Sequence, residues 1–538
     1  MIPSCSWIKK LALRKTNREI ACCLRSFSGW IFQFALILFS ANAAIGQEQL
    51  LDKPITIGRQ HTTLYNALNL ISEKSGCFFV YDSEIVESDK HVKLEADHQP
   101  LKQVLEKLLN NPQLTFKVID QHILIYRINN EPLVADQVPA LKPAQDSARN
   151  FVIKGHIFDN QDKKPIPYAS IGILEGNTGT IANADGFFIL KLPAEYARSS
   201  ISISHLGYEN QEIPVRLLNE QRFDIYLERR IISIQEVIIR YVDPMTLISK
   251  AMQQRAANNN LNPVYMTTFY REGVQKNGRV LGYSEAVFKV FKSSYEHNEQ
   301  SDQVKLLKSR NIQNINQTDT LQLKLKAGIL ASLQLDIVKC IPTFLDESEF
   351  TDYTFSYADL VSYNTQNVYA ITFAQKKQVE EPLYTGTVFI DKESFAILGA
   401  EFEINPQYLN QAANYLIVKK SRKLIVKLEK ITYSISYMNY NGRYYLNHAR
   451  CDIALKTRTR NHLSFDNFNT FLETATCHID TVNVARFGKQ EVIKPNVVFS
   501  DASYVYDEAF WGNYNIIAPE EKLNEALSRI SSKIEEIE

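Results

Sequence analysis

The stretch from Phe151 to Glu228 constrains this chain most. It runs FVIKGHIFD, a proline-bearing turn DKKPIPYAS, then IGILEGNTGTIANADGFFILKL, ISISHLGYENQEIPV and FDIYLE. Each run is short, alternating or rich in β-branched and aromatic residues, and bounded by Gly, Pro, Asn or Asp. That pattern predicts a small antiparallel β-sandwich over residues 151–230. Asp185-Gly186 reads as a tight turn, because Gly tolerates positive φ and Asp bonds its neighbouring backbone, leaving Phe187 and Ile189 to face a core.

The same stretch resembles the carboxypeptidase regulatory-like domain, a prealbumin-like sandwich. Gly155, Pro167-Tyr168-Ala169 with Ile171, Gly179-Thr180, Asp185-Gly186-Phe187 and Gly207-Tyr208 carry the resemblance. The resemblance implies an accessory fold found beside some carboxypeptidases and brings no peptidase, since nothing here supplies their metal centre.

At 538 residues the chain is long enough for several cores. Its 60 basic and 60 acidic side chains cancel, which gives a nucleic-acid partner no electrostatic support. Lys9, Lys10, Arg14, Lys15, Arg18 and Arg25 precede the apolar run Trp30–Phe39 and then Ser-Ala-Asn-Ala-Ala-Ile-Gly, an order that predicts a long signal peptide over 1–46, the alternative being an uncleaved signal anchor, for which the apolar run is short. Cleavage after Ala43 or Gly46 would place the mature protein outside the cytoplasm, in the periplasm or at the outer membrane. Cys5, Cys22 and Cys23 would leave with it. Cys77, Cys340, Cys451 and Cys477 remain, too dispersed for a metal knuckle, so that either Cys451 bridges Cys477 or all four are buried thiols.

Residues 47–129 alternate β and α on a small scale, predicting a βαββαβ domain. ITIGRQ precedes a helical stripe of Leu64, Leu68 and Ile71 that Gly76 stops; Cys77–Tyr81 and His91–Glu95 are strands; Pro100 opens a second helix through Leu101, Val104, Leu105 and Leu108, closed by Pro112; LTFKVI and HILIYRI form a hairpin. This order is similar to the short domain at the amino ends of secretins and some TonB-dependent receptors. The resemblance implies a periplasmic module contacting protein partners, including anti-sigma regulators. Residues 130–150, rich in Pro, Ala and polar side chains without a period, read as a linker.

After the sandwich, ISIQEVIIR reads as a last strand or a connector lying against it, within a helical connector over 231–264. Asp243-Pro244 caps a helix bearing Leu247, Ile248, Ala251 and Met252. From 265 to 500 the pattern predicts one large curved antiparallel sheet, with hairpins at Asn277-Gly278, Asp391–Ser394 and Asn441-Gly442. The stretch 301–350 reads as helix, as strand or as both in turn. Residues 388–460 are similar in hairpin pattern to periplasmic lipoprotein carriers, and the whole tail resembles the one that follows a regulatory-like module in exported proteins of the Bacteroidetes. In 501–538, Phe510, Trp511 and Tyr514 either pack or stack on a sugar, and Leu523, Leu527, Ile530 and Ile534 share one face of a final helix. The fold class is therefore mixed α/β, multidomain.

No catalytic, cofactor or metal residues are assigned. The ten histidines are scattered, and HExxH, GxSxG and GxxxxGK[ST] are absent. Cys477 and His478 are adjacent, so a strand would point them to opposite faces. Glu401 and Glu403 share a strand face, where a wet surface is the simpler reading than a glycosidase-like pair. The roughly 310 residues after the sandwich are too few for a plug and a barrel of about 22 membrane strands. These features together predict a non-catalytic envelope protein that binds a protein or glycan partner; the alternatives are a periplasmic carrier of an apolar ligand in the curved sheet, and an accessory of TonB-linked signalling. A carrier would show an apolar hollow of a few hundred cubic ångströms, whereas a scaffold would fill it.

Overall fold

The computed structural model describes residues 50–81, 90–111, 114–119, 122–127, 151–174, 176–218, 222–232, 243–296, 301–313, 323–325, 329–363, 366–420, 424–460, 462–493 and 508–521. The expected signal peptide, the 130–150 linker and the final helix lie outside them. The architecture is mixed α/β, with several sheets, one of them large, antiparallel and curved, and scattered helices. The chain divides into two compact units, one within residues 1–79 and 88–124, the other within 80–87 and 125–538.

In the first unit β1 (Pro54–Thr63) leads into α1 (Leu64–Ser75), β2 (Phe78–Tyr81), β3 (His91–Pro100), α2 (Leu101–Leu109), β4 (Leu114–Ile119) and β5 (His122–Arg127). Thr63 Oγ1 accepts from Asn66 N–H at 3.3 Å, and Gly76 ends α1 at φ 74°. α2 stops at Leu109, before the expected Pro112, because Asn110 takes a left-handed φ of 35° and its N–H reaches Glu106 O at 3.3 Å. The helical stripes are buried as expected: Leu64, Leu68, Ile71, Leu101, Val104, Leu105 and Leu108. β1 and β3 form a two-stranded antiparallel sheet, and β2, β5 and β4 a three-stranded one.

The second unit begins with the sandwich: β6 (Phe151–Asp159), β7 (Ser170–Ile173), β8 (Gly179–Ile181), β9 (Phe187–Leu192), β10 (Ser200–Ser204), β11 (Gln211–Pro214) and β12 (Arg222–Leu227). One sheet runs β11-β10-β7-β8, the other β12-β6-β9. Two sequence expectations are corrected here. The sandwich is not wholly antiparallel, since its first and last strands, β6 and β12, pair in parallel, which the long stretch between them permits. The inward phase of β9 is also shifted by one: Phe188, Leu190 and Leu192 are buried while Phe187 and Ile189 are only half-buried. Phe188 lies opposite Gly155, and a Cβ on Gly155 would come within 2.9 Å of its ring, so the missing side chain gives Phe188 its place.

β13 (Ile231–Ile232) pairs with the large sheet, and the rest of ISIQEVIIR lies outside the described residues. α3 (Pro244–Gln253) follows, with Asp243 Oδ2 accepting from Thr246 N–H at 3.1 Å and proline at the first turn. Next come α4 (Arg255–Asn258), β14 (Val264–Lys276), β15 (Arg279–Lys292), β16 (Gln303–Gln313), β17 (Leu323–Leu325), α5 (Ile329–Leu333), β18 (Tyr353–Tyr363), β19 (Gln366–Gln375), β20 (Tyr384–Asp391), β21 (Ile397–Ile404), α6 (Leu409–Leu416), β22 (Ile417–Lys420), β23 (Leu424–Tyr440), β24 (Arg443–Thr459) and β25 (Asp466–Asp480). The ambiguous stretch from 301 thus opens as a strand. The large sheet is ordered β13-β18-β19-β20-β21-β23-β24-β25-β14-β15-β16. It ends at Asp480; the described residues 481–493, expected within it, carry no strand.

One face of this sheet is filled by the chain itself. Leu247, Ile248 and Ala251 of α3 and Ile337, Val338, Phe344 and Leu345 pack on Met266, Phe288, Val388, Phe402, Ile435 and Ile453. Phe344 stacks on Phe373 at 4.0 Å. Four charges cluster beside that layer, Lys292 and Asp336 buried, Asp302 and Lys339 half-buried: Lys292 Nζ lies 2.9 Å from Asp302 and 2.5 Å from Asp336, and Lys339 Nζ lies 2.6 Å from Asp302.

The opposite face receives the sandwich. Ile181 of β8 joins Phe269, Val287, Ala475, Cys477, Trp511 and Ile517 in a second apolar cluster. Residues 508–521 are clamped between the two. Asn515 accepts from Lys191 N–H at 2.7 Å and donates to Lys191 O at 3.1 Å, Thr180 Oγ1 donates to Ile516 O at 3.0 Å, and Arg271 Nη1 donates to Ala518 O at 3.2 Å. The aromatic residues near the end therefore pack: Trp511 is buried edge-on to Phe269 at 5.6 Å, with Phe510 and Tyr514 against the same cluster.

Candidate functional site: the cleft between sandwich and sheet

Because side chains alternate along a strand, residues directly paired across a sheet share a face. On the sandwich-facing side one such row crosses seven strands in register: Glu401, Ser434, Arg450, Glu473, Arg271, Glu285 and Arg310. From Arg450 to Arg310 the charges alternate, and each is satisfied. Arg310 Nε donates to Glu285, and Tyr283 OH donates to the same carboxylate at 2.8 Å. Arg271 Nε donates to Glu473, while its Nη2 reaches Glu520 at 2.8 Å. His448 Nε2 lies 2.8 Å from Glu473 Oε1. Burial works against the charge on Glu473, yet Arg271, Arg450 and His448 outweigh it and hold the carboxyl far below the usual range.

Arg450 spends its nitrogens inside the protein. Nε and Nη2 each donate to Asp452 at 2.8 Å, and Nη1 donates to Glu473 at 3.2 Å. Its guanidinium lies 4.4 Å from the Phe471 ring centre and 5.4 Å from that of Tyr168. Phe471 has its place because Gly273 opposite has no Cβ, which would fall 2.6 Å from the ring.

Beyond Arg450 the row opens into a cavity of about 580 Å³, lined from the sandwich by Tyr168, Ser170, Ser204 and His205 and from the sheet by Glu401, Glu403, Ser434 and His448. Neighbouring cavities of about 330 and 610 Å³ share lining residues with it, Thr432, Arg450 and Asp452 in one case and Ser170, Ser204, Tyr363 and Asn447 in the other, so one crevice follows the docking line. Tyr168 projects from a left-handed backbone, φ 60°, and stacks on His448 at 4.9 Å. A bulky residue in that conformation is strained, and strain of this kind is held only where the surroundings enforce it. Burial pushes the Tyr168 phenol above its ordinary value and the His205 imidazole below its own.

Glu401 and Glu403 face the cleft side by side, as their spacing predicts. Glu403 has Lys430 at 3.8 Å. Glu401 reaches solvent through the cleft but makes no ion pair or hydrogen bond among the described residues, and the protein packed around it raises its carboxyl. The other sequence candidates are not brought together. His478 Nδ1 lies 2.9 Å from Thr178 Oγ1, and Cys477 Sγ donates to Asn515 O at 3.2 Å. The four cysteines among the described residues are unbridged; Cys340 is exposed and the others buried. Among the described residues no group of three or more His, Cys, Asp or Glu is placed to hold a metal ion, and no helix is long and apolar enough to cross a membrane. Sequence reading missed Tyr168, Ser434, Arg450 and Asp452. The signal was His448, Arg450 and Asp452 at intervals of two along one strand.

Residues 153–239 match the family model described as a CarboxypepD_reg-like domain. No curated protein matches the chain. Among solved structures, a DUF1329 family protein from Desulfovibrio piger is 10% identical over 45% of this chain and 96% of that one, with a TM-score of 0.21. Lipovitellin, solved in a study of lipid–protein interactions, is 7% identical over 43% of this chain and 27% of that one, with a TM-score of 0.20. The part of the chain that lines one wall of the cleft is thus assigned: a CarboxypepD_reg-like domain is present over residues 153–239.

Proposed function

We propose that this is an exported, non-catalytic envelope protein that binds a small ligand in the cleft between its CarboxypepD_reg-like domain and its large sheet. The observation that carries the reading is the cavity of about 580 Å³, built from both surfaces and bearing aromatic, hydroxyl and carboxylate side chains. That volume lies within the range of about 300–1,000 Å³ typical of small-molecule sites. The sequence reading put an apolar ligand in a hollow of the sheet; that face is filled by α3 and residues 335–350, so the site proposed here lies on the opposite face, in the cleft. The basic and apolar amino-terminal residues support export.

The test is native mass spectrometry of the protein beginning at Gln47, purified from its source envelope, beside a Ser434→Trp variant. A small molecule retained by the unsubstituted protein and lost from the variant supports the reading; equal retention by both overturns it.

A second reading, docking of a protein partner through the first unit, draws on its likeness to the secretin and TonB-receptor short domain. It is also favoured by the β1–β3 pair, whose outer edges carry no further strand among the described residues. Capture of an envelope protein by the form starting at Gln47, but not by one starting at Phe151, would support it.

A further inference from the structure

The charge pattern of the cleft selects among ligands. Along the row from Arg310 to Arg450 every cation sits between anions or beside one, and none is left over. The next position is Ser434, which is short and uncharged, and beyond it stands Glu401, with Glu403 two residues along the same face. The charged side chains lining the cavity are Glu401, Glu403, Asp452 and Arg450, beside His448, whose Nε2 is engaged with Glu473 at 2.8 Å. Arg450 and Asp452 satisfy each other through two hydrogen bonds of 2.8 Å. Two carboxylates therefore remain, and the ammonium nearest them, Lys430, lies 3.8 Å from Glu403.

An anionic ligand finds no unspent cation here, since the guanidinium of Arg450 is committed to Asp452 and Glu473. A neutral ligand would displace water from Glu401 and leave its charge uncompensated. A ligand bearing a positive charge and N–H donors supplies both missing elements, and the cavity beyond has room for an attached body alongside Tyr168 and Leu206.

We infer that the ligand carries a protonated amine, seated at Glu401 and Glu403, on a body that extends toward Tyr168. This rests on the cleft being the ligand site. Ser434, short and uncharged, leaves room for the amine on the Glu401 side of the row, away from the Arg450 guanidinium.

The experiment uses three probes of equal chain length, n-octylamine, 1-octanol and octanoate, titrated calorimetrically into the protein beginning at Gln47. Octylamine is expected to bind about tenfold more tightly than octanol, with octanoate weakest, and the octylamine advantage shrinks as salt is raised. Glu401→Gln, nearly isosteric, brings octylamine to the octanol level and leaves octanol unchanged. Ser434→Trp, or Thr432→Tyr should the first variant melt early, abolishes binding of all three. If octylamine and octanol bind wild type equally and Glu401→Gln alters neither, the amine inference is overturned, while loss of both on filling the cleft leaves the ligand site standing. If no probe binds, or if filling the cleft changes nothing, the ligand site itself is overturned.

Discussion

Thr178 Oγ1 and His478 Nδ1 lie 2.9 Å apart across 300 positions of sequence. Around them the backbones join as well: Ile479 N–H donates to Asn177 O at 3.0 Å, and Asn177 Nδ2 donates to Ile479 O at 2.9 Å. The sandwich is thereby stitched to β25 edge to strand, and the cleft lies beside the seam.

The His478 contact makes docking sensitive to acid. Burial lowers the imidazole below its ordinary 6.5, with Asp480 acting in the opposite sense. The unfolded chain then takes up the proton first as pH falls. The stabilisation is complete above about 6.5 and is lost between there and the lower folded value. Urea unfolding at pH 7.5 and pH 5 should show a loss that is smaller in His478→Asn; an equal loss in both proteins would rule this out.

Glu473 is the shared anion of Arg271, Arg450 and His448, with its side chain wholly buried. Glu473→Gln leaves buried cations short of countercharge and is expected to cost about 3–5 kcal/mol. The carboxyl is held low in the folded state, so its contribution is full at neutral pH and declines as pH drops below the ordinary carboxylate range. Chemical denaturation across pH 3–7 of both proteins checks magnitude and sign together.

Trp511 anchors the clamped segment. Trp511→Ala is expected to cost about 3–5 kcal/mol, and to expose the chain around 508–521 to limited proteolysis at concentrations of protease that leave wild type intact. Unchanged cleavage would mean that the hydrogen bonds of Asn515 and Ala518 hold the segment alone.

A Cβ on Gly386 would lie 2.5 Å from Phe402 Cα and closer still to Glu401 O. Gly386→Ala should therefore displace β21, costing about 1–3 kcal/mol, and weaken octylamine binding through Glu401. Gly282→Ala, where the new Cβ has nothing within 4 Å, is the control and should leave octylamine affinity unchanged.

Local chemistry was readable in the sequence wherever it decides structure by itself. Asn277-Gly278 and Asn441-Gly442 turn as expected, with φ of 50° and 78°, and 51° and 73°. Asp391 closes its hairpin by accepting from Ser394 N–H at 2.7 Å and Ser394 Oγ at 2.6 Å. What eluded reading depends on partners. The strand over 303–313 is fixed by pairing with β15, and its own alternation is too irregular to reveal it. Phe188 turns inward because of Gly155, more than 30 positions earlier. Glu401 and Glu403 could be placed on one face from their spacing, but their role depends on Ser434, Arg450 and Tyr168, which only strand register and docking bring alongside.

The clamped segment also sets an order of events in assembly. Thr180 is held by Ile516, 336 positions later, and Asn183 donates to Pro519 O over the same separation at 3.1 Å. The sandwich strands can pair as soon as they emerge, yet the grip that fixes them to the sheet waits for almost the whole polypeptide. A contact of such long range is slow to form, so the two walls of the cleft meet last, and a chain interrupted before Phe510 would carry a folded lobe with no latch.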